Sequence, residues 1–340
     1  MRINLISDTV TKPTTEMLKA MFDAQVGDDV FKKDASINHL EQKVAEMFGK
    51  EAALFFPSGT MANQTAIKLH TNPGDQVICD KDAHIYNYEG GGVSFNSGAS
   101  CKLIDGHRGM FTAAQAKAAI NPPDFYHSPL SSLSAIENTA NRGGGACWDF
   151  KEIEKIHTVA RENDLGFHLD GARLWNALVA KGETPAQYGK LFDTISVCLS
   201  KGLGCPVGSV LVADEETIHK ALRIRKILGG GMRQAGYLAA AGTYALDNHI
   251  ERLAEDHEKA KEIGKTLESL AIIKKVEPID TNIIIFYLQD DIDEKGFLDK
   301  LEKLGIDLIG MGSGKLRIVT HLDYTAKMHQ EFLKVIQKAV

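Results

Sequence analysis

Two segments decide how this chain is read: Gly166-Phe167-His168-Leu169-Asp170-Gly171-Ala172-Arg173 and, after a helix-length gap, Ser200-Lys201-Gly202-Leu203-Gly204. The first is a short apolar run closed by an acid, which reads as a buried strand. The second follows another apolar run, Thr194 to Leu199. An aspartate and a lysine at the ends of two neighbouring strands can grip opposite ends of one flat aromatic molecule.

Pyridoxal phosphate is such a molecule. The lysine would bind its aldehyde carbon as a Schiff base, and the aspartate would bind its ring nitrogen. A carboxylate closing an apolar strand is costly unless paired, and a protonated pyridine nitrogen would pair it. Ile195 to Leu199 would bury the base of Lys201, and burial lowers a lysine's pKa as that chemistry requires. Arg173 reads two ways: a structural partner of Asp170, or the start of a helix that places a cation in the same cleft.

Outward from these segments, short apolar runs alternate with helix-period stretches. Strands are expected at Ala52-Phe56, Gln76-Cys79, Ser134-Glu137, Gly166-Asp170, Thr194-Leu199 and Gly208-Val212, with helices at 61–70 and 150–163. This alternation predicts a mainly parallel sheet covered by helices on both faces. In such sheets ligands sit beyond the carboxyl ends of the strands, where Asp170 and Lys201 fall. Gln234 to about Ile272 reads as a long helical connector. Beyond it a strand (281–288), a helix, a strand around Leu316 to Val319 and a final helix form a small α+β unit. The expected division is residues 1–248, a cofactor-binding large domain that includes the N-terminal segment, and 249–340, a small C-terminal domain.

The 340 residues are 44% hydrophobic and 25% charged, with a formal net charge of −6. No basic excess exists to neutralise a nucleic-acid backbone. The five cysteines are odd in number and show no C-x-x-C spacing, so buried reduced thiols are expected. The N-terminus lacks the apolar centre of a signal peptide, and runs such as Ile283-Phe286 are too short to span a bilayer. A cytoplasmic location, with no membrane or nucleic-acid partner, is the expectation.

Other residues carry paired readings. Pro57-Ser58-Gly59-Thr60 lies between a strand and a helix, as a phosphate cup at a helix N-terminus or as an ordinary helix cap. His84 and His127 are each either ring-stacking or proton-moving groups, or loop histidines. His168 with Asp170 lacks a third ligand at metal spacing, so no metal is assigned. Gly229-Gly230-Gly231-Met232-Arg233-Gln234 is a helix break or a loop presenting Arg233 to an anion. Arg317 is a cation within an apolar strand, aimed at a cleft between the two domains.

These elements, with Ser7-Asp8-Thr9, Glu137-Asn138-Thr139 and Arg317-Ile318-Val319-Thr320-His321, occur in an order that closely resembles the threonine aldolases. That family lies in the fold-type-I, aminotransferase-like group of pyridoxal-phosphate enzymes, and the resemblance covers almost the full chain. It implies Lys201 as the Schiff-base lysine, Asp170 as the ring-nitrogen partner and His84 as the stacked ring. It further implies Ser58, Gly59 and Thr60 at the phosphate, with Arg233 near the cofactor from a neighbouring subunit. Ser7, Arg173 and Arg317 would hold the substrate carboxylate. His127 would be a second active-site histidine, linked with the β-hydroxyl. The chain departs from many relatives at Val30-Phe31-Lys32-Lys33-Asp34-Ala35, where an aromatic without hydroxyl replaces a tyrosine. It departs again at Ser128-Ser132, which lacks an Arg-Thr-Lys. Both segments would lie near the β-carbon end of the substrate.

The resemblance therefore implies retro-aldol cleavage of L-threonine- or L-allo-threonine-type β-hydroxy-α-amino acids to glycine and an aldehyde, in a homotetramer with interface active sites. The alternatives are a β-eliminating lyase, an aminotransferase, a phenylserine-preferring aldolase, or a non-catalytic binder that keeps the fold.

Overall fold

A computed structural model describes residues 2–338. In chain order its strands are β1 (Ile3–Asn4), β2 (Ala52–Phe56), β3 (Gln76–Asp80), β4 (Ser100–Ile104), β5 (Ser131–Glu137), β6 (Gly166–Gly171) and β7 (Thr194–Cys198). They continue with β8 (Ser209–Ala213), β9 (Ile273–Val276), β10 (Ile283–Leu288), β11 (Ile306–Asp307), β12 (Ile309–Gly312) and β13 (Lys315–Val319). Seven of them form one sheet in the order β2-β8-β7-β6-β5-β3-β4. Neighbours from β7 to β4 run parallel, and β8 runs antiparallel to both β7 and β2. The expected mainly parallel sheet is present, with one reversed strand. The reversal follows from the short β7–β8 connection, since a parallel return needs a dozen or more residues.

Helices cover both faces because side chains alternate across a strand. Along β2, Leu54 and Phe56 cluster with Ala62 and Ala66 of the Gly59–His70 helix. Phe55, between them, joins the opposite layer with Leu40 and Val44 of the Ala35–Phe48 helix. Strands buried on both faces carry apolar runs rather than alternation, which explains why β2, β7 and β8 were legible.

The smaller unit is an antiparallel sheet ordered β12-β13-β10-β9. It packs Ile284, Phe286, Leu316 and Ile318 against Ala260, Ile263, Phe332 and Ile336. Its core also takes Ile3 and Leu5, and β1 pairs in parallel with β11. The first residues thus share a strand pairing and a core cluster with the small unit. A two-residue strand has no period to read, and only its partner β11 reveals it. The expected long connector is divided into the Gly236–Asn248 and Leu253–Glu268 helices. Between them the His249 ring donates from Nδ1 to the Leu203 carbonyl at 2.7 Å.

Candidate active site

The carboxyl ends of β5, β6 and β7 stand side by side. In register, Asp170 on β6 faces Glu137 on β5 and Ser196 on β7. Beyond these ends lies a cavity of about 330 Å³, lined among others by Ser58, Gly59, Thr60, His84, Asp170 and Lys201. Residues from five separate stretches of the sequence thus meet in one place.

Asp170 is 2% exposed. Its Oδ1 accepts the Ala172 N–H at 3.1 Å, while its Oδ2 is buried with no hydrogen-bond partner among the described residues. A buried carboxylate oxygen left unpaired is costly, so this atom is set for a donor the chain itself does not supply. The protonated nitrogen of a pyridine ring is such a donor. Arg173 is not the partner of Asp170. It grips Asp8 instead, Nε to Oδ2 at 2.8 Å and Nη2 to Oδ1 at 2.7 Å.

Lys201 lines the same cavity, and its Nζ has no hydrogen-bond or ion-pair partner among the described residues. It is half-buried rather than enclosed as the sequence suggested. The loop that carries it is closed by Gly204 N–H to the Lys201 carbonyl at 2.8 Å.

The Gly59–His70 helix points its N-terminus at the cavity. Ser58 caps it, its hydroxyl accepting the Met61 N–H at 3.2 Å. The capping reading is therefore correct for Ser58, and it leaves the first-turn N–H groups available to an anion. Gly59 is required by its neighbour: a Cβ there would lie 2.7 Å from Cys198 Sγ.

His84 opens a four-residue helix, His84–Asn87. Its backbone N–H donates to Glu137 Oε2 at 2.9 Å, and its ring Nδ1 lies 3.0 Å from Glu89 Oε1. Burial works against the charged ring, but the Glu89 hydrogen bond and the charges of Asp170, Glu89 and Glu137 outweigh it and raise the pKa. Glu137 is pushed up to about 7, first by burial and then by the charge of Asp170. His84, Glu89 and Asp170 present atoms within 4.8 Å of one another. His168 is separate from this group. Burial drives its pKa down to about 4, and it hydrogen-bonds Thr194 and Asn63.

The candidate carboxylate site lies beside Asp8. Asn141 Oδ1 receives Arg317 Nη1 at 3.1 Å and Arg173 Nη1 at 3.5 Å, so two guanidiniums converge on one oxygen. Arg317 Nε is buried without a partner among the described residues. Burial, then the nearby Arg173 charge, lowers the Arg317 pKa, a strain that an incoming carboxylate relieves. Ser7 accepts the Thr9 N–H at 3.3 Å and stands next to Asp8.

Three expected residues are not brought to the cavity within the chain. His127 packs against Tyr126 and Phe125, with ring centroids 4.1 and 5.2 Å away. Arg233 pairs with Asp28 at 2.8 Å on the surface. Phe31 is 69% exposed. Sequence reasoning in turn assigned no role to Asp8, Asn63, Glu89 or Asn141. Glu89 had one signal, its place five residues after His84 and directly before Gly90-Gly91-Gly92. All five cysteines are free thiols, four of them buried.

The chain is similar to known proteins over nearly its whole length. The family model for beta-eliminating lyases matches residues 4–291. The chain is 40% identical to low-specificity L-threonine aldolase 1 of Arabidopsis thaliana, covering 99% of this chain and 96% of that protein. It is 39% identical to the low-specificity L-threonine aldolase of Escherichia coli K12, covering 97% and 96%. Among solved structures, the Leishmania major threonine aldolase superposes with a TM-score of 0.86 at 21% identity, over 99% of both chains. The Sphingomonas wittichii serine palmitoyltransferase does so with a TM-score of 0.76 at 16% identity, over 99% of this chain and 87% of that one. The last two likenesses establish the fold.

Proposed function

The chain belongs to the threonine aldolases, within the beta-eliminating lyase family, and from that membership we infer a pyridoxal-phosphate-dependent lyase. It cleaves L-threonine-type β-hydroxy-α-amino acids to glycine and an aldehyde. The observation that carries the reading is the pairing of an unpartnered buried Asp170 Oδ2 with an unpartnered Lys201 Nζ in one cavity.

In this reading Lys201 holds the aldehyde carbon of the cofactor, and Asp170 holds its ring nitrogen. Ser58, Gly59 and Thr60 face its phosphate, and His84 its ring. Once bound, pyridoxal phosphate supplies the electron sink for the breaking bond. The protein's own residues do the rest. Arg317 and Arg173, with Ser7, take the substrate carboxylate in place of their shared contact to Asn141 Oδ1. Holding that group fixes which bond at the α-carbon is presented for cleavage. His84 exchanges the β-hydroxyl proton within the cavity.

His127, Arg233 and Phe31 are assigned to a neighbouring subunit's site, in a homotetramer. Phe22, Phe95 and Tyr126, which are 86%, 89% and 86% exposed, are the side chains offered as contacts in that assembly. No helix among the described residues is long and apolar enough to cross a membrane, and a cytoplasmic location is part of the same proposal.

The test supplies cofactor with L-threonine, L-allo-threonine or phenylserine and measures glycine and aldehyde. Equal amounts of both support the reading. Pyruvate from serine, with no aldehyde from any of the three, would sink it in favour of β-elimination.

A further inference from the structure

Glu89 is an acid of the cavity to which the reaction as described gives no task. It is 6% exposed, receives two amide donors and has the His84 ring beside it. Asn63 Nδ2 reaches Oε1 at 2.9 Å, Gln64 Nε2 reaches Oε2 at 2.6 Å, and His84 Nδ1 lies 3.0 Å from Oε1. An ionised carboxylate has no proton to donate and acts only as an acceptor. The His84 proton must then lie on Nδ1.

We propose that Glu89 is a positioning residue for His84: it holds the ring proton on Nδ1 and leaves Nε2 as the atom that exchanges a proton with substrate. The use of that proton rests on the aldolase reading above, whereas the tautomer does not.

The arrangement is fixed from behind. Because the Asn63 amide nitrogen faces Glu89, its oxygen faces His168 Nε2 at 3.2 Å and the Ser196 hydroxyl at 2.5 Å. His168 Nδ1 in turn lies 2.9 Å from the Thr194 hydroxyl and 3.1 Å from the Thr194 carbonyl, which ties the ring to β7. Asn63 thus links β6 and β7 to Glu89 and, through it, to His84, and a buried hydrogen-bonded network restrains its members. Gly92 keeps room for it, since a Cβ there would lie 2.5 Å from Gln64 Oε1. Besides Glu89, the charges of Asp170 and Glu137 act on His84, Lys201 lines the same cavity, and the Tyr88 ring lies 5.7 Å away.

The experiment uses the full-length holoenzyme labelled with ¹⁵N-histidine, with His84 assigned by comparison with His84→Asn. The wild type is expected to show the Nδ1–H tautomer. In Glu89→Gln the His84 titration is expected to move down by about one pH unit, as follows from losing one adjacent charge. The acidic limb of kcat/KM should move by the same amount, with KM for L-threonine changed by less than about threefold and kcat by about tenfold or more. Glu89→Asp, which keeps the charge, should recover most of the titration shift. An Nε2–H tautomer in the wild type overturns the proposal. So does a loss of kcat in Glu89→Gln that is equal at every pH with His84 unmoved. If Glu89→Gln fails to fold, the wild-type tautomer and Glu89→Asp still decide. An Nδ1–H tautomer in a protein that cleaves no β-hydroxy amino acid supports the Glu89 assignment and overturns the aldolase reading.

Discussion

Arg173 and Asp8 form a two-pronged ion pair 165 residues apart in sequence, both side chains buried. Asp8 Oδ2 also accepts from Asn282 Nδ2 at 3.2 Å. One carboxylate thus ties the loop after β6 to the small unit, next to the convergence of Arg173 and Arg317. Burial raises the Asp8 pKa, but the charge and hydrogen bonds of Arg173, with the charge of Lys201, outweigh it and hold it at about 2. This contribution to stability is present above the ordinary value of 3.8 and is lost as pH falls through about 2.

Asp8→Asn should therefore cost roughly 3 kcal/mol, because it strands a buried guanidinium. Urea unfolding at neutral pH measures this. A loss below about 0.5 kcal/mol, the size of an ordinary surface change, would contradict it.

Arg317 differs from Arg173 in having no carboxylate partner among the described residues. Arg317→Leu should raise KM for L-threonine roughly 10- to 100-fold, the loss expected for one charge-assisted hydrogen-bonding group. Stability should change by no more than about 1 kcal/mol, since the residue's protein bonds are to neutral oxygens. An unchanged KM would remove Arg317 from the carboxylate site.

Gly59 and Cys198 touch where the helix meets β7. Gly59→Ala should weaken cofactor binding by roughly 1–3 kcal/mol through overpacking at the helix N-terminus. Cys198→Ala should be mild alone and should restore binding in the double variant. Fluorescence titration of the apoprotein with pyridoxal phosphate measures both. A double variant no better than Gly59→Ala would show that the helix terminus, rather than the sulfur, sets the limit.

Glu137 gives a pH dependence of opposite sign to Asp8. Its pKa is raised from 4.5 to about 7, so its contribution is full below 4.5 and disappears as pH rises through 7. The shift corresponds to roughly 3 kcal/mol. The apoprotein's melting temperature should fall between pH 5 and 7.5 by more than that of Glu137→Gln. Parallel curves for the two proteins would rule out Glu137 as the titrating group.

Much of the site was legible because its residues close regular elements. Asp170 ends an apolar strand, Lys201 follows one, and Ser58 begins a helix, so period and punctuation locate all three. Glu89, only five residues from His84, was not legible because a loop has no period to show that the two side chains meet. Asp8, Asn63 and Asn141 were not legible, because their work is defined by partners 26 to 274 residues away. The N-terminal strand was missed for the same reason, since only β11 makes it a strand. Arg173 shows the limit most sharply. Sequence proximity suggested Asp170 as its partner, and the fold supplied Asp8.

In the proposed function Lys201 and Asp170 hold a cofactor that serves carbon–carbon cleavage. The most direct measurement follows L-threonine with the purified holoenzyme and with Lys201→Ala, quantifying glycine and acetaldehyde together. Equal amounts of both are expected from the wild type, with a rate at least about a thousandfold lower in Lys201→Ala, as when a covalent catalytic group is removed. Wild-type turnover that yields no acetaldehyde, or a Lys201→Ala variant as active as the wild type, would contradict it.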